Sequence, residues 1–153
     1  VGIKGIVRNK LIFVNNVVLP DIPINEIKKT EDESYIVFTS DIHVGLNLFY
    51  EEDFLKFVDW LNGSNGDMNQ KNIASKVKYL FIVGDLVDGV GVYPDQEKDL
   101  VINDIYKQYE RCAFLLSKIR KDIKIVICGG NHDALRLSEP QPVLDQEEKI
   151  IGY

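Results

Sequence analysis

The sequence predicts an α/β fold, strand–helix–strand–helix–strand, entered from the tail of a separate all-β module. Three observations lead there. Apolar, β-branched runs stand at residues 35–39, 79–83 and 123–128, continuous as the buried strands of a parallel sheet are. Between them, residues 51–62 and 99–120 carry apolar side chains at helical spacing. Ahead of them, residues 2–19 alternate short apolar runs with turn residues, and Pro20-Asp21-Ile22-Pro23 closes that pattern because proline denies a ladder its N–H. The expected division is a β segment with its linker over residues 1–27 and an α/β part over 28–153.

In chain order, residues 3–7, 11–14 and 17–19 are predicted strands, with Arg8-Asn9-Lys10 and Asn15-Asn16 as the turns between them. They are too few to make a stable sheet alone. The helix over 51–62 sets Phe54, Phe57, Val58 and Leu61 on one face. Glu51, Glu52 and Asp53 suit its first turn and Gly63 its end. Residues 63–72, rich in Gly, Ser and Asn, are predicted to be a surface loop. The helix over 99–120 gathers Ile102, Ile105, Tyr106, Tyr109, Cys112, Ala113, Leu116 and Ile119 on one face. Lys118, Arg120 and Lys121 then oppose the negative end of its dipole, and Tyr106 and Tyr109 are expected in the core. Two right-handed crossovers result. They bring the residues after all three strands to one carboxyl edge, where open α/β sheets bind their ligands.

Hydrophobic residues make up 45% of the 153 and charged residues 27%, the balance of an ordinary globular protein. A net charge of −6 argues against broad nucleic-acid binding by charge alone. It does not argue against a phosphodiester held through bound cations. No apolar run has the length of a membrane span, and no signal segment opens the chain. Cys112 and Cys128 sit in apolar contexts, which points away from a disulfide framework and toward a reducing, cytoplasmic setting.

The carboxyl edge holds Asp41-Ile42-His43, Gly84-Asp85-Leu86-Val87-Asp88 and Gly129-Gly130-Asn131-His132-Asp133. Hard divalent cations take carboxylate oxygen, and borderline transition metals add imidazole. Asp41 and His43, two residues apart in extended backbone, point the same way and can grip one ion. Gly84 lets backbone and metal approach closely beside Asp85. Asn131 offers an amide oxygen and His132 a titratable imidazole. Two ions about 3.5–4 Å apart can share a carboxylate, activate water and neutralise charge developing at phosphorus. A nearby imidazole can protonate the leaving oxygen. Taken singly the motifs have plain structural uses: Gly84-Asp85 as a strand-ending turn, Asn131-His132-Asp133 as a helix cap. Their order and shared strand context make the set one half of a two-metal phosphoesterase centre. Asp88 and Asp133 are read as groups that orient the ligands, the alternative being solvated loop carboxylates.

The three motifs resemble the first half of the calcineurin-like metallophosphoesterases over residues 35–144. A tighter resemblance is to the small subunits of archaeal family-D DNA polymerases. Residues 84–94, Gln96-Glu97, residues 104–110, Gly130-Asn131-His132-Asp133-Ala134 and Glu139-Pro140-Gln141-Pro142 carry it. Residues 1–23, ending in Leu19-Pro20-Asp21-Ile22-Pro23, resemble the end of that subunit's OB-fold domain. The resemblance implies the N-terminal half of a metallophosphoesterase sandwich, preceded by the last strands of an OB-fold-like module.

It also implies a proofreading 3′–5′ exonuclease acting on DNA and paired with a large polymerising subunit in a heterodimer or larger assembly. Asp41 and His43 would bind the first metal, Asp85 would bridge, and Asn131 would bind the second. His132 would be the catalytic group that donates the leaving-group proton. Two divalent ions are expected, manganese first, with iron, zinc, nickel or magnesium as alternatives. The resemblance further calls for three more histidines, one alone and a Gly-His-x-His pair, whereas His43 and His132 are the only two here. The chain is therefore expected to be a piece of a longer protein that binds metal weakly and cleaves little by itself. Two alternatives stand beside this reading. A general phosphoesterase would not share Tyr93-Pro94 or the 139–142 segment, and a non-catalytic polymerase scaffold would have no physical reason to keep ligands at three loops. The segment 90–99 is the expected docking loop for the large subunit, being long and beside the site.

Overall fold

The computed structural model describes residues 1–20 and 26–135. Asp21-Ile22-Pro23 and Glu139-Pro140-Gln141-Pro142, which carry part of the family resemblance, lie outside the described residues. The chain divides into two compact units, Val1–Asp32 and Glu33–Tyr153.

The first unit holds an antiparallel hairpin of β1 (Gly2–Arg8) and β2 (Leu11–Val18). Asn9 and Lys10 form its two-residue turn with φ of 51° and 62°, the left-handed backbone that a type I′ turn needs. Asn15-Asn16 is not a turn. β2 runs straight through it, and the register slips there from Lys4↔Asn16 to Gly5↔Val14. Asn15 is thus the extra residue of a β-bulge. Gly5 faces that irregularity because a β-carbon there would stand 2.3 Å from the Phe13 carbonyl oxygen. A two-stranded hairpin does not by itself define an OB-fold barrel.

The second unit is α/β. Its elements run β3 (Tyr35–Thr39), α1 (Glu51–Leu61), α2 (Met68–Ser75), β4 (Val77–Val83), a single 3₁₀ turn (Gln96–Lys98), α3 (Ile105–Leu116) and β5 (Lys124–Cys128). The three strands form one parallel sheet in the order β3-β4-β5. Thr39 pairs with Ile82 and Val83 with Cys128, so all three strands end at the same edge. This is the strand–helix–strand–helix–strand arrangement expected from the sequence, with one further short helix before β4.

Among the described residues the strands are covered on one face, not on both. Leu80 and Ile82 of β4 join Val58 and Leu61 of α1 and Cys112 and Leu115 of α3 in one buried cluster, with Val37 and Ile125 packed against it. On the other face Ile36, Phe38, Tyr79, Val83 and Val126 are exposed. Continuous hydrophobicity signals a strand, but it does not say which faces the neighbouring elements cover.

The helices differ from expectation in instructive ways. The loop expected over 63–72 contains the start of α2. Asp67 accepts from the Gln70 N–H while the Gln70 side chain accepts from the Asp67 N–H, a complete capping box. The helix is short and polar and buries only Ala74, so periodicity could not reveal it. α3 begins later than expected, at Asp104, whose carboxylate accepts from the N–H groups of Tyr106 and Lys107. It ends at Leu116, before the basic residues. Arg120 serves α2 and β4 instead, donating to the carbonyls of Ala74 and Val77 at 2.8 Å each. The buried face of α3 is Gln108, Cys112 and Leu115, while Tyr106 and Ala113 are exposed. Among the described residues no helix is long and apolar enough to cross a membrane, and Cys112 and Cys128 are both free thiols.

Candidate metal centre

The three motif loops are stitched together by backbone hydrogen bonds beyond the strand ends. The N–H groups of Asp41, Ile42 and His43 donate to the carbonyls of Gly84, Asp85 and Asp85 at 3.1, 2.9 and 3.0 Å. An isolated parallel bridge, Val44↔Val87, carries the β3–β4 pairing past the motifs. The loop after β5 joins through Gly84 N–H to the Cys128 carbonyl at 3.1 Å. Local sequence thus ends each strand with a short motif, and the sheet register lines the motifs up.

Asp41, His43 and Asp85 take left-handed backbone, with φ of 55°, 51° and 52°. The extended conformation expected for Asp41-Ile42-His43 is therefore incorrect. The three donations into the Gly84-Asp85 carbonyls hold the chain in this uncommon conformation, which costs of order 1 kcal/mol or more per residue. The side chains converge all the same. His43 Nε2 lies 3.9 Å from Asp41 Oδ1 and 3.9 Å from Asp85 Oδ2.

Two glycines make room for Asp85. A β-carbon on Gly84 would stand 3.0 Å from Gly130 Cα, and one on Gly130 would stand 2.2 Å from Asp85 Oδ1. Gly84 therefore admits the neighbouring loop beside Asp85. Asp85 Oδ1 accepts the His132 N–H at 2.9 Å, leaving Oδ2 toward His43.

Asp88 is 2% exposed and fully partnered. Its Oδ1 accepts from His43 Nδ1 at 3.0 Å, its Oδ2 accepts from Gln96 Nε2 at 2.6 Å, and its carbonyl accepts from His132 Nδ1 at 2.8 Å. These bonds put the proton of each imidazole on Nδ1 and leave both Nε2 atoms as bases. The rings of His43 and His132 meet edge to face with centroids 4.6 Å apart. Asp133 is 4% exposed. It accepts from the N–H groups of Leu86 and Gly130 at 3.1 and 2.8 Å and from the Tyr109 hydroxyl at 3.3 Å. Both carboxylates are therefore held inside the protein and not solvated on a loop. Asn131 is exposed and, with His132, lines an open cleft of about 530 Å³ bounded by Val90, Val92 and Ile105.

Among the described residues two trios of side chains have ligand atoms within 4.8 Å of one another: Asp41, His43 and Asp85, and His43, Asp88 and His132. In the second trio His43 Nδ1 and Asp88 Oδ1 already satisfy each other. In the first, two carboxylates and an imidazole base face one another with no hydrogen bond among them. That donor set, oxygen with one nitrogen, fits a divalent transition metal.

Three residues in this network escaped the sequence reading. Gln96 and Gln108 are buried, at 1% and 0% exposed. Gln108 clamps the loop after β4 by accepting from the Gly89 N–H at 2.9 Å and donating to the carbonyls of Gly89 and Ile102. Tyr109, expected as plain core, bridges Asp133 and the Ala134 N–H through its hydroxyl, and burial pushes its phenol well above the ordinary value. No local pattern marks a glutamine or tyrosine for such a role. The available signal was a polar residue on an otherwise apolar helix face.

The chain is 48% identical over 151 residues to a DNA polymerase II small subunit of Archaeoglobus fulgidus, covering 99% of this chain and 31% of that protein. It is 44% identical over 147 residues to the DNA polymerase II small subunit of Methanothermobacter thermautotrophicus, covering 96% and 30%. For that of Pyrococcus horikoshii the figures are 46% over 150 residues, 96% and 24%. The chain thus spans less than a third of the length of these curated relatives. The family model described as calcineurin-like phosphoesterase matches residues 34–151, which takes in all three motif loops, and the chain belongs to that family.

Proposed function

We propose that this chain carries part of a two-metal 3′–5′ exonuclease site in the small subunit of an archaeal replicative DNA polymerase. The observation that supports it is the convergence of His43 Nε2 on Asp41 Oδ1 and Asp85 Oδ2, at 3.9 Å each, on strand ends joined by backbone bonds. Asp41, His43 and Asp85 would hold one divalent cation. Asp85 would be shared with a second, toward which Asn131 offers its amide oxygen. Manganese is the first choice among ions this donor set accepts. When bound, such ions supply charge neutralisation at phosphorus and a water of lowered pKa.

The chain's own residues do the rest. His132 donates its Nδ1–H to the Asp88 carbonyl, which turns Nε2 to the cleft; the imidazolium form, carrying a second proton on Nε2, would give that proton to the departing oxygen and return to the neutral ring. Asp85 Oδ1, held by the His132 N–H, ties the metal side of the site to the proton-transfer side. The relatives are named small subunits, so the partner would be a large subunit, and DNA the substrate. The non-catalytic scaffold reading predicts no such pairing of open carboxylates and imidazole bases at three loops.

The test is manganese-dependent degradation of 3′-mismatched DNA by the full-length protein, comparing wild type with Asp85→Ala. Loss of activity in a folded variant supports the exonuclease. Equal activity in both, or none in either, makes this a structural subunit of the polymerase.

A further inference from the structure

We infer that Gln96 is a positioning residue that sets both imidazoles of the centre through Asp88; the inference rests on the metal-site reading above. Gln96 lies in the 3₁₀ turn Gln96–Lys98, outside the three motifs. Its side chain is 1% exposed and makes three hydrogen bonds. Oε1 accepts the Val92 N–H at 2.8 Å, and Nε2 donates to both the carbonyl and Oδ2 of Asp88, at 2.9 and 2.6 Å.

The Val92 N–H can only donate, so the amide oxygen faces it and the NH2 group faces Asp88. That orientation has a chemical consequence. With Oδ2 engaged by Gln96, Oδ1 of Asp88 remains for His43 Nδ1, 3.0 Å away. With the carbonyl of Asp88 fixed by the second N–H, its remaining lone pair meets His132 Nδ1 at 2.8 Å. One glutamine therefore fixes which nitrogen of His43 faces Asp41 and Asp85, and which nitrogen of His132 faces the cleft. Residues that hold a metal-binding histidine in one tautomer typically change affinity by about 10–100-fold when lost. A glutamate could not substitute, since its carboxylate would meet that of Asp88. Gln108 supplies the contrast: equally buried, it hydrogen-bonds Gly89 and Ile102 and neither Asp88 nor a histidine.

The chain has only two histidines, so selective ¹⁵N-histidine labelling reports on His43 and His132 alone. Gln96→Met keeps the volume and removes all three bonds, and Gln96→Asn keeps the amide but is one methylene too short to span Val92 and Asp88. Both should convert the defined Nδ1–H tautomers into mixtures in metal-free protein and weaken manganese binding, measured calorimetrically, by about 10–100-fold. Asp67→Ala, which removes the cap of α2, should lower the melting temperature and leave the tautomers and manganese affinity unchanged. Gln96→Asn guards against a Gln96→Met variant that does not fold. Retained tautomers and manganese affinity within twofold of wild type in a folded Gln96 variant would overturn the inference. If the full-length protein takes up no manganese, the metal-site reading fails, while the tautomer spectra of this chain still decide the role of Gln96.

Discussion

Gly130 packs so closely on Asp85 that its missing side chain is part of the site: a β-carbon there would stand 2.2 Å from Asp85 Oδ1 and 2.6 Å from the Asp85 amide nitrogen. Gly130→Ala must displace either the carboxylate or the loop after β5. Overpacking of this kind costs about 1–3 kcal/mol. The sheet should survive, because the Val83–Cys128 pairing lies before both loops. Manganese affinity should fall at least about tenfold, as for loss of a ligand's support. Calorimetric titration beside a circular-dichroism melt checks this, and a Gly130→Ala protein that binds manganese as wild type does would show that Asp85 is not a ligand.

Asp133 joins the loops after β4 and β5 by accepting from Leu86, Gly130 and the Tyr109 hydroxyl. In Asp133→Ala those donors stay buried without partners, at about 1–3 kcal/mol each. Urea denaturation should show a marked loss of stability with Asp133→Ala. Asp133→Asn, which keeps an acceptor oxygen, should lose less. Equal midpoints for wild type and Asp133→Ala would contradict the buried network.

Alkaline pH should loosen the unit through α3. Burial pushes the Cys112 thiol up from its ordinary 9.0 to about 12 and raises the Tyr109 phenol above its ordinary 10.0. Both groups are held neutral in the folded state, so the unfolded state releases its protons first. Their contribution is complete below pH 9 and declines as pH climbs from 9 toward 12. Melting temperatures measured from pH 8 to pH 11 should fall, and Cys112→Ala should flatten the lower part of that fall. At pH 8 an alkylating reagent should modify exposed Cys128 and spare buried Cys112, which peptide mass mapping reads directly.

The capping box of α2 gives a prediction confined to stability. Asp67→Ala removes the acceptor for the Gln70 N–H and should cost about 1 kcal/mol. The midpoint of urea unfolding should drop without a change in slope, and manganese affinity should be unaffected.

The strands β3, β4 and β5 were legible as β-branched runs, and the motifs as the residues that follow them. The face of α1 was legible too: Val58 and Leu61 are buried and Phe54 and Phe57 pack against the same cluster. α2 was not, since a short polar helix that buries one alanine leaves no periodic trace. The start of α3 was misplaced because the apolar spacing runs on back to Ile102, whereas the helix begins only after Asp104, whose carboxylate accepts the Tyr106 and Lys107 N–H groups. Asn15-Asn16 read as a turn because asparagine tolerates left-handed backbone, but that conformation went to Asn9 and Lys10, and Asn15 became a bulge.

The sequence by itself determined which residues stand at the carboxyl ends of three parallel strands, because strand propensity and the glycine-carboxylate-histidine motifs are local properties. Tertiary structure alone decided how those residues are used. The left-handed backbone of Asp41 and His43 is held by the carbonyls of Gly84 and Asp85, far along the chain. The Asp88 carboxylate presents Oδ1 to His43 while Gln96, from a separate turn, takes its other oxygen. Asp85 keeps its place because Gly130, brought alongside by the β4–β5 register, has no side chain. Each of these depends on groups distant in sequence meeting at close range, and pairing of that kind is fixed by the packed sheet and its loops, not by any local pattern.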